Sequence, residues 1–139
     1  MRIKLIKEGA IFTLYSIEQG ESAFDLLNAL MADNPKAFSQ IIARLNSLAD
    51  DGFSFGSRKF NSLGNSLFEA KASLGPRVIY FHDGNRIIIC TNGFGKDSNK
   101  TRKRHLQLAE QRKKQYVAAK KLGDFQYDYN GQPEPKRKP

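Results

Sequence analysis

Arg77-Val78-Ile79-Tyr80-Phe81-His82-Asp83-Gly84-Asn85-Arg86-Ile87-Ile88-Ile89-Cys90 is the stretch whose reading decides the fold. Its two runs, Val78 to Phe81 and Ile87 to Ile89, are nearly continuously apolar. They are rich in β-branched and aromatic side chains, which suit a pleated surface. Asp83-Gly84 between them is a strong hairpin turn signal, because a tight turn needs positive φ. A strand with one wet face alternates apolar and polar residues. These two do not, so they are expected at the centre of a sheet, covered on both faces or nearly so.

Working outward toward the N-terminus, Ser66 to Ser73 reads as a further strand, set off by Ser73-Leu74-Gly75-Pro76. Before it, Phe38, Ile41, Ile42, Leu45 and Leu48 recur at helical spacing. That helix starts at Asp33-Asn34-Pro35, with Pro in the first turn where its missing N–H costs nothing, and stops at Asp50-Asp51-Gly52. A shorter helix runs from a Ser22 cap to Met31, with Phe24, Leu27, Leu30 and Met31 on one face. Ile11 to Ile17 reads as the first strand. Arg2 to Lys7 alternates and either extends that strand or pairs separately.

Toward the C-terminus, Gly93-Phe94-Gly95-Lys96 leaves the last strand and Thr101 to Leu122 reads as a basic helix. Its expected inner face is Leu106, Ala109, Tyr116 and Val117. Gly123 to Pro139 holds three Pro and two Gly with few aliphatic residues, so a flexible basic tail is expected there. The order is β-α-α-β-β-β-α. It describes an α+β domain over residues 1–122, a two-helix hairpin packed on a small, mostly antiparallel sheet, followed by the 123–139 tail.

Composition narrows the function. One Cys excludes an internal disulfide and any multi-Cys zinc site. The longest apolar runs are too short to span a bilayer. Glu8 and Glu18 interrupt the N-terminal apolar patch, which lacks a small-residue cleavage site, so a cytoplasmic protein is expected. Residues 1–95 carry ten basic and nine acidic side chains, whereas residues 96–139 carry thirteen and five. Nearly all of the +9 net charge is therefore C-terminal. Such segregation favours an acidic polymer as partner, since phosphate contacts release counterions. A solvated helix face with a solubilising tail is the other reading. No Walker loop, zinc spacing or serine elbow is present, so no cofactor or metal is expected.

An ordered set of motifs from about Phe12 to Tyr116 resembles the RelE/ParE toxin superfamily, and more closely its HigB-like, phage-derived branch. After the second helix comes a turn rich in Gly and aromatics, Asp51-Gly52-Phe53-Ser54-Phe55-Gly56, then Arg58-Lys59-Phe60-Asn61-Ser62-Leu63. Leu67-Phe68-Glu69-Ala70-Lys71 follows where the family has Leu-aromatic-Glu-Leu-Arg. Arg77 precedes the apolar Val78 to Phe81, and Gly93-Phe94-Gly95-Lys96-Asp97 stands for a Gly-Phe-x-Lys-Lys-like motif. The helix with Ala109, Arg112 and Tyr116 completes the pattern.

The resemblance implies a RelE-like fold and the toxin of a type II toxin–antitoxin pair. Its partners would be a cognate antitoxin, and the ribosome with mRNA. The implied activity is a ribosome-dependent, metal-independent endoribonuclease that inhibits translation. A ParE-like toxin acting on DNA gyrase, or a non-catalytic nucleic-acid-binding member of the fold, are the alternatives. RNA cleavage needs the 2′-OH to attack the adjacent phosphate, and cations must offset the charge that develops. By position in the family's concave face, Lys59, Lys71, Arg77 and Lys96 are the expected catalytic cations, with His105 as a candidate acid or base. Arg77 suits a bidentate clamp on the scissile phosphate. Lys100, Arg102, Lys103, Arg104, Arg112 and Lys113 are the expected nucleic-acid contacts. Asp97 departs from the family's second basic residue, and Glu69 reads either as a carboxylate base or as a carboxylate that orients a neighbouring cation.

Overall fold

The computed structural model describes residues 1–52, 59–95 and 99–139, the side chains of 99–101 excepted. In chain order it contains β1 (Arg2–Glu8), β2 (Thr13–Ile17), α1 (Ala23–Asp33), α2 (Pro35–Asp51), β3 (Phe60–Gly64), β4 (Leu67–Lys71), β5 (Arg77–His82), β6 (Ile87–Phe94), α3 (Asn99–Leu122) and β7 (Gln126–Asp128). Among the described residues the strands form one seven-stranded sheet in the order β3-β4-β5-β6-β2-β1-β7. Neighbours are antiparallel except at β2–β6 and β1–β7, which are parallel, so the sheet is mixed.

The hairpin read from the sequence lies where its apolar runs demand. All eight residues of β6 are buried. One face of the sheet takes the α1–α2 hairpin, through Leu26, Leu27, Ile41, Leu45 and Leu48 against Val78, Tyr80, Ile88 and Cys90. The opposite face takes α3, through Ala109 and Tyr116 against Ile79, Phe81, Ile87 and Ile89. Successive β-strand residues face opposite sides, so a strand with a core on each side has no position for water. Both helix starts are capped as their residues suggest. Ser22 Oγ accepts from Asp25 N at 3.1 Å while Asp25 accepts back from Ser22 N at 3.3 Å, and Asn34 caps α2 at Ala37 N. Gly93 lets α1 approach closely: a Cβ there would stand 3.0 Å from the Leu26 side chain, which would have to shift to make room.

Three strands were not in the expected order. Arg2–Glu8 is a strand of its own, antiparallel to β2. β3 is short, with a register shift and a positive-φ glycine at its end, which hid its alternation. The third is β7, inside the segment expected to be a flexible tail. Gln126 to Asp128 pairs in parallel with Arg2 to Lys4. Gln132 Nε2 donates to Ile6 O at 3.2 Å, Lys136 N to the Glu8 carboxylate at 2.7 Å, and Tyr15 Oη to Arg137 O at 2.8 Å. The cause is β1, an edge strand whose free N–H and C=O groups pair with the returning chain. Phe125 and Tyr129 add apolar contact with the α3-side core.

The register slips by one residue between Ile79 and Tyr80, so that Thr91 on β6 is the extra residue of a bulge. Its carbonyl is taken by a side chain from α3, described below.

Phe125→Ala is expected to cost about 2 kcal/mol, as for a half-buried ring removed from a core. Urea unfolding checks this, and an unchanged midpoint would mean that the segment adds nothing to the fold.

Candidate active site

Antiparallel register sets three of the expected residues in one row. Lys71 on β4 is opposite Arg77 on β5, which is opposite Phe94 on β6. Lys71 N donates to Lys59 O at 2.7 Å, so Lys59 continues the row at the outer edge. Residues directly opposite in an antiparallel pair share a face, and Phe94 packs on the α3 side. Lys71 and Arg77, with Ser73, Leu74 and Gly75 of the intervening turn, line a cavity of about 350 Å³.

Arg77 does not stand alone. Its Nη1 lies 3.6 Å from Glu69 Oε2, and the two side chains are 13 % and 6 % exposed. Asn61 Nδ2 donates to the other carboxylate oxygen at 3.3 Å. Burial lifts the Glu69 carboxyl above its ordinary 4.5, while Arg102 on α3, the Asn61 hydrogen bond and Lys71 pull it back down. The carboxylate therefore sits among cations from two strands and one helix.

His105 is 4 % exposed. Its ring lies flat on Phe94, with centroids 4.0 Å apart and planes within 6°. It thus packs beside the row behind Phe94. Its Nδ1 is 4.0 Å from Glu21 Oε1. Glu21 also takes two hydrogen bonds from Arg104, at 2.7 and 3.1 Å.

Arg112 corrects an expectation. Placed among the nucleic-acid contacts by its neighbours in a basic helix, it is 5 % exposed and faces the sheet. Nη1 donates to Thr91 O at 2.9 Å and Nη2 donates to Gly20 O. The guanidinium satisfies the bulge carbonyl and ties α3 to the loop before α1, which leaves it no surface for a phosphate. The inner face of α3 is accordingly His105, Ala109, Arg112, Tyr116 and Ala119, whereas Val117 is 44 % exposed.

Arg102 and Lys103 are exposed on α3. Lys113 Nζ donates to Asn65 O at 3.1 Å and lies over the Phe81 ring. Lys96, Asp97 and the Lys100 side chain lie outside the described residues. Sequence reasoning missed Asn61, Phe94 and Asn65 as parts of this region. The first two were legible only as register partners, Asn61 of Glu69 and Phe94 of Arg77. Among the described residues no three His, Cys, Asp or Glu side chains converge as a metal site, and no helix is long and apolar enough to cross a membrane.

These features define a class: an α+β domain with a mixed sheet, a helical hairpin on one face and a basic helix on the other, and a row of cations at one end of its strands. Residues 28–114 match the family described as Phage derived protein Gp49-like (DUF891). The chain belongs to this family, which is part of the RelE/toxin-like superfamily. No curated protein matches the sequence.

Arg112→Ala strands the buried Thr91 carbonyl and removes the bond to Gly20 O, and is expected to cost roughly 1–3 kcal/mol, whereas Lys103→Ala should leave stability within about 0.5 kcal/mol. Denaturant midpoints of the two variants separate a buried tie from a surface charge. Because the folded Glu69 carboxyl is raised, its protonated form favours folding. That contribution is complete below the ordinary 4.5 and is lost as pH rises through the folded value. Glu69→Gln should flatten this loss in unfolding free energies measured from about pH 4 to 8. An unchanged slope would contradict it.

Proposed function

We propose that this chain is a HigB-like toxin of a type II toxin–antitoxin pair, a ribosome-dependent endoribonuclease that cuts translated mRNA and so inhibits translation. Its working place would be the cytoplasm, with a cognate antitoxin holding it inactive. The observation that carries this reading is the row formed by Lys59, Lys71 and Arg77, with Glu69 holding Arg77 in place.

In this reading the scissile phosphate enters the cavity between Lys71 and Arg77. The 2′-OH of the preceding nucleotide gives its proton to water as its oxygen bonds to phosphorus, forming a 2′,3′-cyclic phosphate. The bond to the 5′-oxygen breaks, and that oxygen leaves with a proton taken from water. Negative charge grows on the non-bridging oxygens between those two events. Arg77, whose planar fork matches two of them, and Lys71 stabilise that charge without having to reorient. The Glu69 ion pair supplies this fixed orientation. An arginine free to rotate would lose entropy at the moment of reaction.

The test maps mRNA 5′ ends in cells shortly after induction. New in-frame cuts within translated regions are expected from the parent chain. Arg77→Ala alone leaves the Glu69 carboxylate buried without its partner, so Glu69→Gln/Arg77→Ala is the better control. Loss of one charge-stabilising donor should lower cutting by about 100-fold or more, with the melting temperature retained. Growth arrest without cuts would move the reading to gyrase or another protein target.

A further inference from the structure

Beyond the cation row, α3 and the β3–β4 hairpin enclose a trench that the proposed chemistry leaves unused. Arg102, Leu106, Glu110, Lys113 and Val117 recur at spacings of four, four, three and four residues, and so form one stripe along α3. That stripe is distinct from the inner face carrying Arg112. It looks onto the α3-side face of β4, where Leu67, Glu69 and Lys71 alternate with residues of the other core. At the Lys71 end, Arg102 acts on the Glu69 carboxylate. At the far end a cavity of about 450 Å³ is lined by Asn65, Leu67, Glu110, Lys113, Lys114 and Val117. Leu67 and Lys71 are four residues apart along one strand, about 13 Å. The two ends therefore admit different nucleotides of one strand.

We infer that the far end of this trench is a second subsite for the same single-stranded RNA. There Lys113 and Lys114 hold a phosphate, and Asn65 with Glu110 meets a nucleobase edge. The inference rests on the nuclease reading and names how its substrate is held away from the cut. The cavity is walled mostly by apolar atoms, and its few polar groups, the Asn65–Glu110 pair and the two lysines, favour RNA over an acidic peptide. Asn65 Nδ2 donates to Glu110 Oε1 at 3.1 Å, so one carboxylate oxygen stays available to accept from an exocyclic amine. An acidic peptide would bring its own carboxylates against Glu110 and Glu69. Leu67 and Val117 give the base an apolar wall, and the two lysines at the rim take the backbone charge.

The test measures fluorescence anisotropy of labelled, uncleavable 2′-O-methyl RNA with the full chain at several salt concentrations. A trimer is compared with a heptamer. In Lys113→Ala/Lys114→Ala, heptamer affinity is expected to fall about tenfold, and the salt slope to shrink by about 0.7 for each phosphate no longer neutralised. The trimer should bind as before. Val117→Glu, which puts a carboxylate in the subsite and spares both lysines, should weaken the heptamer as well, and it decides the matter should the lysine pair not fold. Glu110→Gln should keep the salt slope and change the preference among homopolymeric heptamers.

Heptamer binding unchanged in both the lysine and Val117 variants, while Glu69→Gln/Arg77→Ala weakens it, would overturn the subsite and leave the nuclease reading standing. Unchanged binding in all three would likewise overturn the subsite, while the nuclease reading, which is ribosome-dependent, falls only if the induced cells show no in-frame cuts. A synthetic peptide of alternating Leu and Glu that binds the parent but not Val117→Glu, with RNA binding unaffected, would assign the far end to a protein and overturn the subsite.

Discussion

The structure depends on where α3 lies, and a buried arginine is one of the ties that set it, beside Asn92 Nδ2 on His105 O and Tyr116 on Asp83. The helix carries few apolar residues for its length, so burial alone fixes its position weakly. Arg112 supplies the direction that apolar contact lacks. Its two terminal nitrogens donate to Thr91 O on the central strand and to Gly20 O in the loop before α1. The bulge at Thr91 is the other half of this arrangement. A regular ladder would have used that carbonyl, and the extra residue frees it for the guanidinium. A buried carbonyl is costly unless its hydrogen bond is met, so displacement of α3 would leave Thr91 O without its donor. Position follows from that penalty.

The same reasoning, with the opposite sign, applies at the cation row. Arg77, Lys71 and Arg102 would repel one another if they met on their own. Glu69, almost fully buried and bonded by Asn61, offsets part of that repulsion. The offset is partial, because burial works against the ionised carboxylate while the surrounding cations work for it. A site of this kind keeps a positive field for a phosphate and holds its arginine in one orientation. With a fully neutralised pair the field would vanish, and without Glu69 the arginine would be mobile.

The centre of the fold was legible because its signal is unambiguous. Val78 to Phe81 and Ile87 to Ile89 lack alternation, and only a strand between two cores permits that. The helical hairpin was legible from its stripes and its Ser22 and Asn34 caps. What escaped depended on pairing between distant segments. β7 forms because β1 offers an edge, and Pro and Gly composition masked the alternation of Phe125, Tyr127 and Tyr129. Lys59, Lys71 and Arg77 were named from motif position, and register supplied their alignment. Arg112 was misplaced because its type matches its exposed neighbours. One signal was present: His105, Ala109, Arg112, Tyr116 and Ala119 recur at four, three, four and three residues, a buried stripe in which the arginine is the long polar member.

Charge on α3 therefore divides by face, and its total is a poor guide to recognition. Arg112 is consumed by the fold. Arg104 is bonded to Glu21, and Lys120 to Asp83 at 2.8 Å. Lys136 and Arg137 stand by β1, at the opposite side of the sheet from Lys71. Among the described residues, the cations that share the trench with the row are Arg102, Lys113 and Lys114. A polyanion attracted by the whole field would slide over such a surface without register. In the RNA reading proposed above, register would come from the few cations held at fixed spacing along α3 and β4, interrupted by carboxylates that a continuous phosphate track would not tolerate. Glu69 and Glu110, which weaken the field as a sum, are what make it a pattern.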